Sequence, residues 1–388
     1  MTTISPDLRE PGIFPFPHDE STEALKYYSA TQWQLVWWRF RKHRTALIGA
    51  VMLLVLLIVG MLYMFIGPYD PYSRNPTYVL GAPQLIHFWD EKGFSVRPFV
   101  YSVTTVRDPE TLRMKPSIDS SIRWYLYFLV EGDQYSFYGL FESDIHLFGV
   151  GQEGAFVHLF GTDNLGRDLF TRVLLGTRTS LTIGVMGVLI AFFIALIIGG
   201  IAGYLGGWAD YSIQRLTEVV RVIPTIPLYM GLAAAFPAYW SSQQVYFAMT
   251  LILGLLGWTT LARRIRSHLL TQRQEDYVIS AQISGASTSR IIARHMLPAF
   301  TSYIIVDFVI SFPYMILSET ALSFIGLGLR PPVVSWGTLL QDAQNIRAIE
   351  QAPWLFIPAV FVVLAVLSFT ILGDGLRDAA DPYQVVGK

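Results

Sequence analysis

Residues 273–298 read RQEDYVISAQISGASTSRIIARHMLP and separate two long apolar runs of the chain. Several of their side chains are charged or titratable, namely Arg273, Glu275, Asp276, Arg290, Arg294 and His295. Such side chains are costly in hydrocarbon, so this segment is predicted to lie outside the bilayer. Its apolar residues keep a helical period that Gly285 interrupts and Pro298 ends. The segment is therefore predicted to form two short helices with a bend at Gly285.

The composition of the whole chain indicates a membrane protein. Hydrophobic residues make up 52% of its 388 residues and charged residues only 15%, with a mean hydropathy of +0.42, values that soluble domains rarely combine. A net charge of −1 argues against nucleic acid as a partner. The sequence contains no cysteine, no phosphate-binding loop motif and no paired-histidine metal motif. No catalytic, cofactor-binding or metal-binding residue is therefore predicted.

Six apolar runs are long enough to cross a bilayer as helices. They are predicted at 46–66 and at about 181–205, 222–240, 245–262, 300–323 and 353–373. Ahead of the first run, residues 31–44 combine tryptophans with Arg39, Arg41, Lys42 and Arg44, which is typical of an interfacial helix on the cytoplasmic side. Residues 1–45 are thus predicted to be a cytoplasmic tail and interfacial helix, and six crossings place both termini in the cytoplasm.

A longer segment at 67–160 is predicted to be an extracytoplasmic subdomain between the first two spans. Aromatic and β-branched residues are frequent at 99–106, 124–130 and 135–141, which favours strands. Glu131-Gly132-Asp133 predicts a turn between the last two of these segments. The remaining residues, 161–388, are predicted to form a core of five membrane helices with a cytoplasmic loop at 263–298.

Four acidic residues allow two interpretations each. Asp163 and Asp168 lie in the glycine-rich sequence GTDNLGRDLF at 161–170 with Arg167; this cluster could hold a metal or substrate, or form an ion-pair lattice that stabilises the turn. Asp307 and Glu319 fall within the fifth predicted span, where a carboxylate is costly unless it is paired or hydrated. Each could line a substrate path or pair with a neighbouring helix.

The segment at 273–298 resembles the EAA loop of permease subunits of bacterial ABC importers, a short cytoplasmic helix that docks onto a separate ATPase subunit. The resemblance implies that the ATPase-coupling residues are Asp276, Tyr277, Ala281, Ser284, Gly285, Ala286 and Pro298. The sequence departs from the family pattern at Ile279 and Ser280, where Glu and Ala are usual.

Two other segments resemble the dipeptide/oligopeptide/nickel group of these importers, and in particular the second, C-type permease of the pair. One is an outer motif made of Gly161, Thr162, Asp163, Gly166, Arg167 and Asp168. The other is ETALSFIGLGLRPPVVSWG at 319–337. Arg215, Glu218 and Pro224 also occupy family positions, and a buried Arg215–Glu218 pair is expected on one helix face.

The resemblance implies an all-α membrane protein of the type I ABC importer permease fold, with six transmembrane helices and a small β-rich subdomain inserted between the first and second. It implies a permease of the bacterial inner membrane that is not itself an enzyme. A second permease, two ATPase subunits that bind ATP and Mg, and an extracytoplasmic substrate-binding protein are the partners it implies, besides the lipid bilayer. Peptides are the substrate it favours.

Other functions remain open from the sequence alone. Oligosaccharides or opine-like compounds are alternative substrates, because the aromatic residues of the outer subdomain suit sugar rings as well as peptide side chains. An ion-coupled secondary carrier is the alternative class, and it predicts inverted repeats and several ionisable residues within the spans. An intramembrane hydrolase would need a nucleophile and base at mid-span depth, which the six runs lack. A purely structural receptor subunit leaves the basic loop unexplained.

Overall fold

The structure is a computed structural model that describes residues 30–380 except positions 92, 108, 111, 113, 153, 238 and 346–349. The predicted tail at 1–29 lies outside the described residues. The helices are α1 Gln32–Lys42, α2 Arg44–Met61, α3 Tyr63–Ile66, α4 Leu169–Leu205, α5 Gly207–Val222, α6 Thr225–Ala234, α7 Ser242–Gln272, α8 Asp276–Ile283, α9 Thr288–Arg290, α10 Leu297–Ala299, α11 Thr301–Phe324, α12 Trp336–Asp342 and α13 Ile357–Ala380. The strands are β1 His87–Asp90, β2 Gly93–Arg107, β3 Met114–Phe137 and β4 Phe141–Val150.

Five helices in the described part of the chain are long and apolar enough to cross a membrane: α2, α4, α7, α11, and α13 with the 3₁₀ turn before it. α5 and α6 pass the same test only as a pair bent by 81°, so the spans number five, or six if the pair is one span. α6 alone has ten residues, about 15 Å of helix, which is half the thickness of the hydrocarbon core. Within the span predicted at 222–240, only Thr225–Ala234 forms this helix, and the sixth span stays a prediction. Pro224 lacks the N–H that a continuous helix needs there.

Two other predicted boundaries move because helices continue past their apolar runs. α4 begins at Leu169 instead of about 181, so the outer motif leads directly into one long helix. Its start is set by Asp168, whose side chain accepts from the backbone N–H of Thr171 as an N-cap. α7 continues to Gln272, so the first part of the loop predicted at 263–298 is helical. We therefore restrict the name coupling loop to residues 273–298.

The interfacial segment predicted at 31–44 is helical as α1, which opens with a capping box between Thr31 and Gln34. His43 follows α1 and caps the start of α2. Its Nε2 lies 3.3 Å from Oδ2 of Asp378, near the end of α13. The start of the first span and the end of the last span therefore lie side by side.

The segment between α3 and α4 contains a four-stranded antiparallel sheet in the order β1-β2-β3-β4. The turn predicted at 131–133 is wrong, because β3 continues through these residues. The pairing of β3 with β4 is irregular between Glu131 and Tyr135, as in a β-bulge. The chain turns instead at Tyr138 and Gly139, whose φ values are 53° and 74°. Successive positive φ angles are typical of a tight hairpin turn.

His146 on β4 joins this sheet to the membrane part. Its Nδ1 lies 2.6 Å from the carbonyl oxygen of Gly67, just after α3, and its Nε2 lies 2.9 Å from the carbonyl oxygen of Asp133 on β3. Phe148 of the same strand packs edge-on against Phe170 of α4. The sheet is thus held against the ends of two membrane helices.

α4 and α7 pack closely at the centre of the membrane part. A Cβ at Gly199 of α4 would lie 2.6 Å from the carbonyl oxygen of Ala262, and one at Gly203 would lie 2.7 Å from Cβ of Leu269. Both distances are shorter than real Cβ contacts. Only glycine at these two positions permits the observed separation of the two helices.

Candidate coupling loop, outer motif and membrane cavity

The coupling loop contains a helix end centred on glycine. α8 has Ser284 as its C-cap, and Gly285 follows with a φ of +78°. The N–H of Gly285 donates to the carbonyl of Gln282 at 3.0 Å, and the N–H of Ala286 donates to the carbonyl of Ala281 at 3.1 Å. These two bonds form a Schellman motif, which needs a left-handed residue where Gly285 lies. The predicted bend at Gly285 is present.

The second predicted helix of the loop is a composite of α9, a π-helix at Ile291–Met296, and α10. Pro298, which was predicted to end this helix, lies one residue before its last residue, Ala299. Phe300 follows, and its φ of −125° separates α10 from α11.

The loop buries one set of apolar side chains and exposes another. The buried set packs in one cluster with Ile265 and Leu269 of α7 and consists of Val278, Ile291 and Met296. The exposed set consists of Tyr277, Ile279 and Ile283. Ile283 is 82% exposed, although it lies beside a helix end held by two backbone hydrogen bonds. Asp276, Ser284 and Gly285 are exposed as well, whereas Ala281 and Ala286 are half-buried.

The outer motif is built around the buried carboxylate of Asp163. Its Oδ1 accepts from the backbone N–H groups of Leu165 at 2.8 Å and Arg167 at 2.9 Å. Its Oδ2 accepts from Nε of Arg167 at 2.6 Å and lies 3.5 Å from Nε of Arg172. Burial raises the pKa of the adjacent Asp342, and the charge of Asp163 adds to that rise. The Asp163 carboxylate thus contacts two buried guanidinium groups, and Oδ2 of Asp342 lies 3.9 Å from Nη2 of Arg167.

Asp168 has a different set of contacts. Its Oδ2 accepts from the backbone N–H of Thr171 at 2.7 Å and from its hydroxyl at 2.8 Å, while its Oδ1 lies 3.0 Å from Nδ1 of the buried His158. Among the described residues, no group of three or more His, Asp or Glu side chains is placed to hold a metal. The geometry of the outer motif is that of an ion-pair lattice and a helix cap.

The two glycines of the outer motif permit close backbone approach. Gly161 and Gly166 have φ values of +74° and +73°. A Cβ at Gly161 would lie 2.6 Å from the carbonyl oxygen of Gly81, and one at Gly166 would lie 2.0 Å from that of Asn75. Side chains at these positions would push the motif away from the segment that precedes the sheet.

Thr162 lies between these glycines and connects three outer segments. Its hydroxyl accepts from the N–H of Gly81 at 2.7 Å and donates to the carbonyl of Tyr78. Its own carbonyl accepts from Nε1 of Trp354 at 3.0 Å, at the start of the last span. The outer motif therefore ties the segment that precedes the sheet to the starts of the second and last spans.

Glu319 is fully buried where α4, α11 and α12 meet. Its Oε1 accepts from the hydroxyl of Ser323 at 2.8 Å, and its Oε2 accepts from that of Ser180 at 3.2 Å. The Ser180 oxygen accepts from the N–H of Trp336 at 3.2 Å, and the Ser323 oxygen accepts from that of Leu329 at 3.1 Å. The carboxylate thus joins three helices through two hydroxyl groups.

Replacing Glu319 with alanine is expected to destabilise the protein by about 1–3 kcal/mol, because two buried hydroxyl groups lose their acceptor. Glu319→Gln keeps one acceptor oxygen, so its stability should lie between those of the alanine variant and the wild type. Thermal unfolding in detergent measures both effects, and transport should follow the amount of folded protein. A glutamine variant that folds normally but does not transport would contradict a purely structural role and place Glu319 in the substrate path.

Asp307 lies on the wall of a cavity of about 370 Å³ between α4, α6, α7 and α11. Its Oδ1 accepts a hydrogen bond from Nη1 of Arg264. α7 carries Arg264 and α11 carries Asp307, so the pair joins the two helices that flank the coupling loop. We refer to this space as the membrane cavity.

Arg215 and Glu218 form the predicted pair, with Nη1 of Arg215 donating to Oε2 of Glu218 at 2.6 Å. The pair is exposed, not buried as predicted: 62% of the arginine side chain and 50% of the glutamate side chain are accessible. Both residues lie on the open face of the amphipathic helix α5. Exposed pairs of this kind contribute about 0–1 kcal/mol to stability.

Sequence reasoning missed the partners of three predicted acids, which are Arg172, His158 and Arg264. Arg172 pairs with Asp163, nine positions earlier, and this spacing carries no signal because the contact depends on the turn that leads into α4. Arg264 was assigned to the cytoplasmic loop because the apolar run ends at 262. No sequence signal pairs His158 with Asp168, since the contact depends on the turn between them.

The chain has long apolar helices, a cavity between them, and a coupling loop whose buried side chains pack against α7. These features define it as an integral membrane transport subunit. The chain belongs to the family of binding-protein-dependent transport system inner membrane components, whose model matches residues 195–384. A second model, the N-terminal TM domain of oligopeptide transport permease C, matches residues 31–83. The four-stranded sheet lies between the two matched segments.

Curated relatives agree with this assignment. The oligopeptide transport system permease protein OppC of Bacillus subtilis is 35% identical over 226 residues, which are 58% of this chain and 72% of the relative. The dipeptide permease DppC of the same species is 40% identical over 227 residues, 58% and 68% of the two chains. The glutathione transport system permease protein GsiD of Pectobacterium atrosepticum is 38% identical over 225 residues, 58% and 72%. The predicted permease family is confirmed, and the ion-coupled carrier interpretation is wrong.

Proposed function

We propose that this chain is the C-type permease subunit of an ATP-driven, binding-protein-dependent importer of peptides. Its relatives are named as permeases of oligopeptide, dipeptide and glutathione transport, which supports peptides as the substrate class. In this proposal the bent pair α5 and α6 forms one crossing, so that six crossings leave both termini in the cytoplasm. A second permease completes the translocation path, and an extracytoplasmic binding protein delivers the substrate.

The ATPase activity belongs to two partner subunits, which bind ATP and Mg, and this chain binds no cofactor. The observation that carries the proposal is the construction of the coupling loop. Val278, Ile291 and Met296 anchor the loop against α7, while Ile283 remains exposed beside Gly285. An exposed apolar surface on a rigid base supports docking of a protein partner.

The loop is also connected to the membrane helices by polar contacts. Nη1 of Arg273 donates to the carbonyl of Tyr204 at the end of α4 at 3.2 Å, and Gln282 donates to the hydroxyl of Tyr204 at 3.2 Å. Arg266 of α7 forms an ion pair with Asp210 of α5. In our proposal these contacts carry a displacement of the loop, caused by closure of the ATPases, into α4, α5 and α7.

Affinity purification of the tagged chain from solubilised membranes, followed by mass spectrometry, tests this function. We expect a second permease, ATPase subunits and a binding protein to co-purify, with peptide retained by the binding protein. Oligosaccharide or an opine-like compound on that protein would keep the importer class and replace the substrate. Recovery of this chain alone, in a preparation where a control ABC transporter stays assembled, would contradict the proposal.

A further inference from the structure

We propose that Arg264 is a substrate-binding residue of the membrane cavity, where it binds the C-terminal carboxylate of a peptide in exchange for Asp307. This inference rests on the proposed peptide-importer function and adds a specific subsite to it. It assigns to this chain a group that recognises the substrate during passage, independent of recognition by the binding protein.

The first observation is the arrangement of polar groups around the cavity. Its apolar lining comes from α4, α7 and α11. Apart from Tyr229 of α6, its polar lining comes from α7 and α11 and consists of Thr260, Arg264, Asp307, Ser311, Tyr314 and Ser318. The two polar residues of α7, Thr260 and Arg264, are four positions apart. The four polar residues of α11, from Asp307 to Ser318, are separated by four, three and four positions. These spacings place each set on a single face of its helix. The two polar faces meet at the Arg264–Asp307 pair.

The second observation is that this polar side is open. Tyr314 is 70% exposed, and 53% of the Arg264 side chain is accessible. An arginine and an aspartate that faced hydrocarbon would cost several kcal/mol. The face is therefore turned towards water or a protein partner, as the wall of a translocation path requires.

The third observation concerns which nitrogen atoms of the Arg264 guanidinium group form hydrogen bonds. Arg264 and Asp307 are the charged residues that line the cavity, and the arginine uses Nη1 for the aspartate. Within the described residues, no hydrogen bond uses its Nε or Nη2. Guanidinium groups donate two parallel N–H bonds to a carboxylate. Arg264 can therefore bind a substrate carboxylate by turning away from Asp307.

Competition between Asp307 and the substrate suits a transporter. A transport site must bind its substrate strongly enough to admit it and weakly enough to release it. Asp307 neutralises Arg264 while the site is empty and competes with the substrate carboxylate when it is occupied. The volume of about 370 Å³ lies within the roughly 300–1,000 Å³ of small-molecule sites.

Cysteine labelling tests the subsite directly, because the chain contains no natural cysteine. In the purified importer in detergent, Ser311→Cys is expected to react with a charged methanethiosulfonate reagent. Val360→Cys, at an exposed position of α13 outside the cavity, is the matched control and should react at least ten-fold more slowly in the detergent belt. Millimolar trialanine should slow labelling of Ser311→Cys at least five-fold, and its C-terminal amide should not.

Protection by trialanine should disappear in Ser311→Cys combined with Arg264→Gln. Because Arg264→Gln leaves the Asp307 carboxylate unpaired, a third substitution, Asp307→Asn, restores a neutral cavity. Protection should be absent in this triple variant as well. Arg221→Gln, an exposed arginine on α5, should leave protection unchanged. Equal protection by acid and amide, or protection that survives Arg264→Gln, would overturn the inference.

Uptake of trialanine by the wild-type importer in proteoliposomes separates this inference from the proposed function. If the wild-type importer takes up trialanine but protection does not depend on Arg264, only the subsite is refuted. If no peptide supports ATP-dependent uptake, the peptide-importer function fails, and the subsite fails with it.

Discussion

A Gly285→Arg variant is expected to enter the membrane normally but to lose at least 90% of ATP-driven transport. A Cβ at Gly285 would meet no atom within 4 Å, so a side chain can start at this position without a clash. The φ of +78° is unfavourable for arginine by about 1–2 kcal/mol, a cost that a folded domain tolerates. The new side chain would instead project from the exposed end of α8, where the proposed ATPase partner docks.

The chain offers a matched control for this variant. Gly154 also has a φ of +78°, and a Cβ there would meet nothing within 4 Å, but it lies in the outer segment that follows the sheet. Gly154→Arg therefore introduces the same backbone strain away from the coupling loop, and it should transport normally. Uptake into proteoliposomes and ATPase assembly on purified complexes measure both variants. If Gly285→Arg transports at the wild-type rate, the docking hypothesis is wrong; if both variants fail equally, strain is the cause.

Asp163→Ala is expected to produce the largest loss of stability, about 3–5 kcal/mol, because it leaves two buried guanidinium groups without their shared carboxylate. Arg167 and Arg172 are 9% and 4% exposed, so water cannot replace the lost charge. The same substitution removes the acceptor for two backbone N–H groups of the turn. The connection between the segment that precedes the sheet and the starts of the second and last spans should loosen as a result.

The midpoint of thermal unfolding in detergent, together with the yield of inserted protein, measures this effect. Asp163→Asn separates its two causes, since the amide keeps an acceptor for the backbone N–H groups but carries no charge; an intermediate loss is expected. Asp119→Ala is the control, because this exposed aspartate of β3 bonds to the nearby Ser121 and its loss should change stability by less than about 0.5 kcal/mol. Unfolding of Asp163→Ala at the wild-type temperature would refute the ion-pair lattice as a stabilising element.

Features that depend on neighbours along the chain could be predicted from the sequence. Hydropathy located the long spans, because a helix in lipid needs an uninterrupted apolar run. The bend at Gly285 was predictable because a left-handed helix end selects glycine locally. The alternation of aromatic and β-branched residues indicated strands, but the turn at 131–133 was wrong, since a bulge and a turn have the same local composition.

The candidate site shows the limit of such reasoning. Asp307 and Glu319 were both recognised as acids inside a span, and the sequence left the same two interpretations open for each. The structure separates them: Glu319 is enclosed by hydroxyl groups of neighbouring helices, and Asp307 faces the membrane cavity beside Arg264. The two residues are twelve positions apart on one helix and differ in what packs against them.

The sequence by itself determined the membrane class, the permease family, most span positions and the glycine at the loop bend, because each follows from local composition or short motifs. Only the tertiary structure decided which acids are enclosed and which are open, that the Arg215–Glu218 pair is exposed, and that Arg264 meets Asp307 across 43 residues. These outcomes depend on how each helix is rotated and packed against its neighbours. Rotation and packing are set by the fit of all the side chains together, and no single stretch of sequence contains that information.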